Sequence, residues 1–265
     1  MGRAKDRKVR FLSQHPLCCF CGGETTSSTS DHIPPRSMFR NRVWPVGYEF
    51  PACQKCNSQT AGKELVMALL ARSGKLEESE SEQSEYVNLL QGIQNNYPDF
   101  FKEIEPTATQ VKGFLRERGL RLAPGLTTRD VPLISVKGPL VKEAIETFSR
   151  KLFLALHYLH TGRIVPQSGG VSIKYITNAS PNDSTLLENL ETLRRGLPNA
   201  PDIQRSNTGL EDQFSYKYFT NPEGTFSAYF VFLGKAFAII GNVRTDRGDF
   251  PEIMHRHGVM PPFQP

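Results

Sequence analysis

The chain has 265 residues, of which 38% are hydrophobic and 22% charged, and its 32 lysines and arginines exceed its 27 aspartates and glutamates by five. This composition excludes collagen-like, wholly disordered and membrane-spanning proteins. The length allows one large domain, or a small domain joined to a larger one, without disulfides or metal ions for most of the fold. The charged amino terminus has no apolar segment typical of a secretory signal, so we expect a cytoplasmic protein.

The first predicted unit, residues 1–75, contains a basic leader, two cysteine motifs and one helix. Gly47–Ala52 is a predicted short strand, and the second cysteine motif leads into a predicted helix from Asn57 to Arg72. Apolar residues recur in that segment at helical spacing, and Ser73-Gly74 provides a stop signal. The helix is therefore expected directly after the second pair of cysteines.

All five cysteines lie in the first 56 residues, and four of them form Cys-x-x-Cys pairs, Cys18 with Cys21 and Cys53 with Cys56. Two thiolates separated by two residues can bind one ion from a tight turn, and Gly22 tolerates the positive φ that such turns often need. Two pairs supply the four ligands of a closed, structural zinc site. We therefore predict one structural Zn²⁺ at these four cysteines; the alternative is that one pair consists only of buried thiols.

Residues 76–120 form a second predicted region, an acidic linker followed by helices. The segment from Lys75 to Glu85 contains five glutamates among serines and almost no apolar residues, which indicates a solvated linker or an exposed helix. Residues 86–119 are predicted to be helical in two pieces, with interruptions near Tyr97-Pro98 and Pro106.

Residues 121–265 are predicted to form an α+β domain with an antiparallel sheet, which makes the whole chain α+β. Apolar residues repeat at helical spacing over Pro139–His160, and Gly162 ends this long helix, which we expect to pack on the sheet. Turn signals separate the later apolar segments and predict hairpins. The other predicted elements are strands at Val131–Val136 and Val171–Thr177, a helix at Ser184–Arg195, and hairpin strands at Phe214–Phe219, Phe226–Leu233 and Ala236–Val243.

Between the two cysteine pairs stands the segment Asp31-His32-Ile33-Pro34, and Asn57 directly follows the last zinc cysteine. The two Cys-x-x-Cys pairs, the Asp-His-Ile-x-Pro segment and the Cys-x-x-Cys-Asn sequence before a helix together resemble the HNH endonuclease family of the ββα-metal superfamily. The resemblance covers residues 15–65. It implies a zinc-stabilised ββα-metal unit in the amino-terminal quarter of the chain.

The resemblance also implies catalytic roles for three residues. His32 matches the general base that deprotonates the attacking water, and imidazole suits this role because its ordinary pKa of about 6.5 leaves much of it neutral at cellular pH. Asp31 and Asn57 match the ligands of a catalytic divalent metal, Mg²⁺ or Mn²⁺. The structural zinc would hold the helix that carries Asn57 against the strand that carries the other two residues.

The chain departs from the family's pattern at one position. Tyr48, followed by Glu49, stands where the family has its middle asparagine, and Asn41 is the nearest alternative. The residue that orients the His32 ring is therefore either Asn41, through a rearranged loop, or a different group.

Positive charge is concentrated around the Asp-His pair. Residues 1–45 contain eight lysines and arginines against three acidic residues, which equals the whole net charge of +5. Contacts of such residues with phosphates dominate nucleic-acid affinity and make it depend on salt. We predict nucleic-acid contacts for Arg36, Arg40 and Arg42, whereas basic residues of the leader could simply be solvated.

The leading hypothesis is a metal-dependent HNH endonuclease that hydrolyses phosphodiester bonds in DNA, as in bacterial and phage defence effectors. A second hypothesis is a zinc-stabilised nucleic-acid-binding module without cleavage, and a third is a zinc-bound protein-interaction module. The expected partners are DNA and, through the carboxy-terminal domain, further copies of the chain, without association with a membrane.

Overall fold

A computed structural model describes residues 2–73, 79–177, 195–201, 203–234, 237–256 and 258–265. The predicted helix at Ser184–Arg195, except for Arg195 itself, lies outside the described residues, as do residues 74–78 of the acidic segment. The helices are α1 (Gly2–Gln14), α2 (Gln54–Ser58), α3 (Ala61–Arg72), α4 (Glu80–Asn96), α5 (Phe100–Ile104), α6 (Ala108–Glu117), α7 (Pro139–Thr161) and α8 (Glu252–Arg256). The strands are β1 (Thr29–His32), β2 (Glu49–Ala52), β3 (Gly170–Thr177), β4 (Gln204–Arg205), β5 (Thr208–Gly209), β6 (Phe214–Thr220), β7 (Phe226–Leu233), β8 (Phe237–Arg244) and β9 (Val259–Met260).

The first unit consists of helix α1, a β-hairpin and helices α2 and α3. Strands β1 and β2 are antiparallel, with His32 opposite Glu49. The predicted helix at Asn57–Arg72 is in fact two helices, α2 and α3. Helix α2 begins earlier than predicted because the Cys53 thiol accepts a hydrogen bond from the backbone N–H of Cys56 and caps its first turn. The order β1, β2, α2 places the strand end at His32 and the second cysteine pair in one unit.

Helices α4, α5 and α6 occupy most of the predicted linker region. Helix α4 starts inside the acidic segment, where Ser79 and Glu82 form a capping box and the negative charges of the first turn suit a helix amino terminus. Of the two alternatives, the helix is observed at residues 80–85, where Glu80, Ser81, Gln83 and Ser84 are exposed but Glu82 is buried. The predicted strand at Val131–Val136 is wrong: these residues pair with no described strand, and the N–H of Ser135 donates instead to the Ile104 carbonyl at 2.8 Å.

The carboxy-terminal sheet confirms the predicted α+β class. Its five described strands follow the order β6-β7-β8-β3-β9, and every pairing is antiparallel. Helix α7 packs on β3 and β8 and ends at Gly162, whose φ is 68°. The approach is close at Gly241 of β8, because a Cβ there would lie 2.3 Å from the Phe153 ring of α7. The long helix and the hairpin strands therefore lie as predicted, except that Ala236, the predicted first residue of the last hairpin strand, lies outside the described residues.

The predicted units share one hydrophobic core. Helix α3 packs against α7, and the continuous core includes buried residues from the cysteine motifs, from α4 and from the sheet. The last residues contact the first cysteine motif: the N–H of Phe263 donates to the Phe20 carbonyl at 2.9 Å, and Gln167 Nε2 donates to the carbonyls of Cys21 and Phe263 at 3.1 and 2.8 Å. The boundaries 1–75, 76–120 and 121–265 stay a prediction. In the described residues no helix combines the length and apolar character needed to cross a bilayer.

Candidate metal centre and nucleic-acid interface

Four thiols converge where the two cysteine motifs meet. The Sγ atoms of Cys18, Cys21, Cys53 and Cys56 all lie within 4.8 Å of one another, and the four side chains are buried. Tetrahedral Zn²⁺, with Zn–S bonds of about 2.3 Å, holds its sulfurs roughly 3.8 Å apart, so small shifts would suffice to bind one ion. The first motif turns at Gly22, whose φ is 70°. These four residues could hold a structural metal such as zinc.

The thiols differ in acidity. A hydrogen bond with Cys56 lowers the pKa of Cys18 to about 5, whereas burial raises the pKa of Cys21 to about 11. Burial disfavours several thiolates side by side unless a cation accompanies them, and a metal provides that cation. Burial lowers the pKa of Arg150, and the negative charge of the Cys56 sulfur opposes this shift. Arg150 is thus close enough to offset part of the negative charge of a four-thiolate site. Cys19 lies outside the cluster, and burial raises its pKa.

Asp31, one of the predicted metal ligands, belongs to a buried ion-pair cluster. The ammonium of Lys151, on α7, lies 2.5 Å from Asp31 Oδ2, 2.6 Å from Glu64 Oε1 and 2.6 Å from Thr60 Oγ1. Lys151 is fully buried, and Asp31 is only 7% exposed. Burial raises the pKa of Asp31 to about 6, although Lys151 opposes the shift. Burial also lowers the pKa of Lys151, but the two carboxylates outweigh it and the net shift is upward. Both groups are therefore charged at neutral pH.

These oxygens do not fit a divalent cation in this arrangement. The Lys151 ammonium occupies the space beside the Asp31 carboxylate, and a metal ion there would be repelled by it. Asn57, the second predicted ligand, is half-buried and donates its amide hydrogen to Thr29 Oγ1 at 3.3 Å. Thr29 and Asp31 are two residues apart on β1, so Asn57 contacts the strand face that carries Asp31. The binding of Mg²⁺ or Mn²⁺ by Asp31 and Asn57 stays a prediction.

His32 lies at the end of β1 and is half-buried. Its Nε2 contacts the guanidinium of Arg36, which has only hydrogen-bond donors, so Nε2 accepts and the ring proton lies on Nδ1. Burial lowers the pKa of His32, the charge of Arg36 lowers it further, and Glu49 opposes the shift. The ring is therefore neutral at pH 7, which is the state that a general base requires.

Besides Arg36, an aromatic ring and a backbone group lie near the His32 ring. The Trp44 ring lies 5.3 Å away, centroid to centroid, and the backbone carbonyl of Tyr48 acts on His32 in the direction that raises its pKa. The Tyr48 hydroxyl instead hydrogen-bonds to Tyr216 at 3.1 Å. Asn41, the sequence alternative, donates to a glutamate of α4 at 3.4 Å. At the position of the family's asparagine, only the backbone of Tyr48 acts on the ring, and the buried His32 Nδ1 has no hydrogen-bond partner among the described residues.

The predicted nucleic-acid contacts differ in availability. The Arg40 guanidinium contacts Asp212 and lies 3.8 Å from Glu82, so acidic groups already offset its charge. Arg42 is exposed. Burial lowers the pKa of Arg36; the charge of Glu49 opposes that shift, and the positive charge of Arg42 adds to it. Of the three, Arg36 and Arg42 remain near His32 without a described ion-pair partner.

Trp44 lies between two arginines. The guanidinium carbon of Arg36 is 3.8 Å from the centroid of the Trp44 ring, and that of Arg205 is 3.9 Å from it. Two guanidinium groups cannot both fit over one face at this distance, so they lie on opposite faces. Arg205 belongs to β4 and donates to the Trp44 carbonyl at 3.2 Å, and the N–H of Val46 donates to the Gln204 carbonyl at 3.2 Å. The β4–β5 hairpin therefore docks on the loop between β1 and β2.

Comparisons of the chain with models of protein families, with curated proteins and with solved structures find no match. The resemblance to HNH endonucleases therefore rests on the quoted residues alone.

Sequence reasoning missed Lys151, Glu64, Trp44 and Arg205. Lys151 could have been suspected, because it lies three residues after Phe148 on the apolar face of a helix, where a lysine needs a buried partner. Trp44 is the only tryptophan and follows a run of arginines, which is a weaker signal. No sequence pattern indicated a role for Arg205, because strands β4 and β5, which position it, have only two residues each.

Proposed function

We propose that this protein is an HNH-type endonuclease that hydrolyses phosphodiester bonds in DNA, with His32 as the general base. One observation supports it most: a neutral His32 ring, with Nε2 as acceptor, at a strand end of the unit that contains the four-cysteine cluster and beside Arg36. A neutral imidazole can take a proton from water, and guanidinium groups bind phosphate through charge-assisted hydrogen bonds.

The reaction proposed uses groups of the chain itself. When a DNA phosphate approaches, the Arg36 guanidinium transfers its hydrogen bond from His32 Nε2 to a phosphate oxygen and leaves the nitrogen free. Nε2 then takes a proton from a water molecule as the water oxygen bonds to phosphorus. The bond between phosphorus and the 3′ oxygen breaks, and the 3′ oxygen takes a proton from solvent. A requirement for Mg²⁺ or Mn²⁺ would mean that Lys151 leaves Asp31 in the active form.

The test is nicking of supercoiled plasmid, without added metal and with Mg²⁺ or Mn²⁺, by the wild type, His32→Ala and His255→Ala. His255 is an exposed histidine of α8 and serves as the matched control. We expect the wild type and His255→Ala to nick alike, and His32→Ala to lose a factor of about 10² to 10⁴. A folded wild type that binds DNA but nicks it under none of these conditions would refute the nuclease proposal.

A second candidate, a nucleic-acid-binding module without cleavage, is favoured by the contact between Lys151 and Asp31. That contact removes the predicted metal ligand from solvent, whereas Arg42 is exposed and Arg36 is partly exposed. Under this proposal the wild type binds DNA with strong salt dependence and never nicks it. Absence of DNA binding at low salt would refute both candidates and leave the protein-interaction module. A cytoplasmic location, a role in phage defence and self-association through the carboxy-terminal domain are parts of the proposal that rest on the sequence alone.

A further inference from the structure

We infer that Arg205, a residue of the carboxy-terminal region, contacts the DNA backbone at the His32 site. Together with Arg36 and Trp44 it forms what we call the Trp44 clamp. The inference rests on the proposed function, because it takes duplex DNA as the partner. The inference adds a DNA contact from a residue outside the amino-terminal motifs. It also assigns a function to the β4–β5 hairpin, which carries Arg205.

The clamp carries positive charge that no described acidic group offsets by direct contact. Among the residues that the structure describes, no carboxylate forms an ion pair with Arg36 or Arg205, in contrast to Arg40, which contacts Asp212. Arg42 is exposed nearby, and its charge acts on Arg36 in the same direction as the charge of Arg205. Glu49, which pairs with Arg7 at 3.7 Å, acts on Arg36 in the opposite direction and offsets part of this positive charge. An anion bound among the arginines relieves the repulsion that remains.

Stacking leaves the arginines free to bind phosphate. The guanidinium carbons of Arg36 and Arg205 lie 3.8 and 3.9 Å from the centroid of the Trp44 ring, a cation–π contact that occupies none of their N–H donors. The buried Nε atom of Arg36 has no hydrogen-bond partner among the described residues. Arg205 uses one nitrogen, Nη1, on the Trp44 carbonyl. Both guanidinium groups thus retain donors in the fork geometry that matches phosphate oxygens.

The spacing of the clamp favours a polyanion over a single small anion. The two guanidinium carbons lie on opposite faces of one ring, separated by roughly the sum of their distances to it. One phosphate ion between them is excluded by the indole. A nucleic-acid strand carries a charge at each nucleotide and can place neighbouring phosphates on either side. His32, whose ring is 5.3 Å from that of Trp44, would then lie beside the same strand.

The test measures duplex DNA binding by the full-length, zinc-loaded protein without Mg²⁺ or Mn²⁺, and gel electrophoresis checks that the labelled duplex stays intact during the measurement. Fluorescence anisotropy of a labelled duplex gives the affinity at several salt concentrations between about 50 and about 200 mM. Trp44 is the only tryptophan, so its emission reports on the clamp directly. The variants are Arg205→Gln, Arg205→Lys and, as matched control, Arg116→Gln on the exposed surface of α6. Thermal unfolding checks that each variant is folded.

We expect DNA to change the Trp44 emission of the wild type, and Arg205→Gln to bind more weakly with a salt slope lower by about one. Arg116→Gln should match the wild type, and Arg205→Lys should keep the wild-type slope because it keeps the charge. If wild type and Arg205→Gln bind DNA with equal slopes, the inference is wrong and the proposed function is untouched. If Arg205→Lys fails as Arg205→Gln does, the residue only holds the hairpin, and the inference is also wrong. If the wild type binds no DNA at low salt, the proposed function itself fails.

Discussion

Replacing Lys151 by methionine is expected to lower the free energy of unfolding by about 3–5 kcal/mol at pH 7, the usual cost of removing one partner from a buried ion pair. The ammonium lies 2.5 Å from Asp31 and 2.6 Å from Glu64, and methionine fills similar space without a charge. Two buried carboxylates would then face each other without a counter-ion. They can escape by taking up a proton, and burial already raises the pKa of Asp31 to about 6. The loss should therefore be smaller at pH 5 than at pH 7.

Urea or thermal unfolding at both pH values measures this effect. For a chain of this size the loss corresponds to a decrease in Tm of roughly 10 °C. Lys142→Met, an exposed lysine of the same helix, is the control and should change stability by less than about 0.5 kcal/mol. Adding Glu64→Gln to Lys151→Met should restore part of the stability, because it removes one of the two unpaired charges. A Lys151→Met protein within about 1 kcal/mol of the wild type at pH 7 would refute the reasoning.

Three further predictions concern the metal, the base and the buried histidine. Elemental analysis should find one zinc per chain, lost in Cys53→Ser with unfolding of the first unit but kept in Cys19→Ala; a stable, metal-free wild type would contradict this. The nicking rate should fall only when the pH drops below 6.5, because burial and Arg36 lower the pKa of His32, and a midpoint above 6.5 would exclude His32 as the base. Burial lowers the pKa of His157 to about 4, so the unfolded chain binds its proton first and stability should decrease from pH 6.5 to 4. His157→Gln should reduce that slope in unfolding followed by circular dichroism, and an unchanged slope would show that another group causes it.

The elements that could be predicted from the sequence are those in which buried apolar residues recur at the regular spacing of a helix or a strand. Helix α7 and strands β6, β7 and β8 each bury a repeating set of apolar residues, and turn residues mark their ends. The four-cysteine cluster was predictable for a different reason, since metal ligands must recur at fixed spacing. The prediction of a strand at Val131–Val136 was wrong because it rested on apolar composition alone. These residues have the composition of a strand, but they pair with no described strand.

The chemistry around the Asp-His pair depends on residues that are distant in sequence. Lys151 reaches Asp31 from α7, and Arg205 reaches Trp44 from a hairpin of two-residue strands. No local pattern encodes such pairings, because they arise only after α7 and the sheet have packed on the first unit. The sequence therefore predicted a metal ligand at Asp31, whereas the structure shows its carboxylate beside an ammonium.

The contacts between Gln167, the Cys21 carbonyl and Phe263 bear on the order of events during synthesis of the chain. The ribosome completes all four clustered cysteines at Cys56, more than a hundred residues before Gln167. At about 5–20 residues per second, this interval is on the order of ten seconds. During this interval the later residues do not yet cover the four thiols of the nascent chain. Binding a metal ion early would protect these thiols against oxidation.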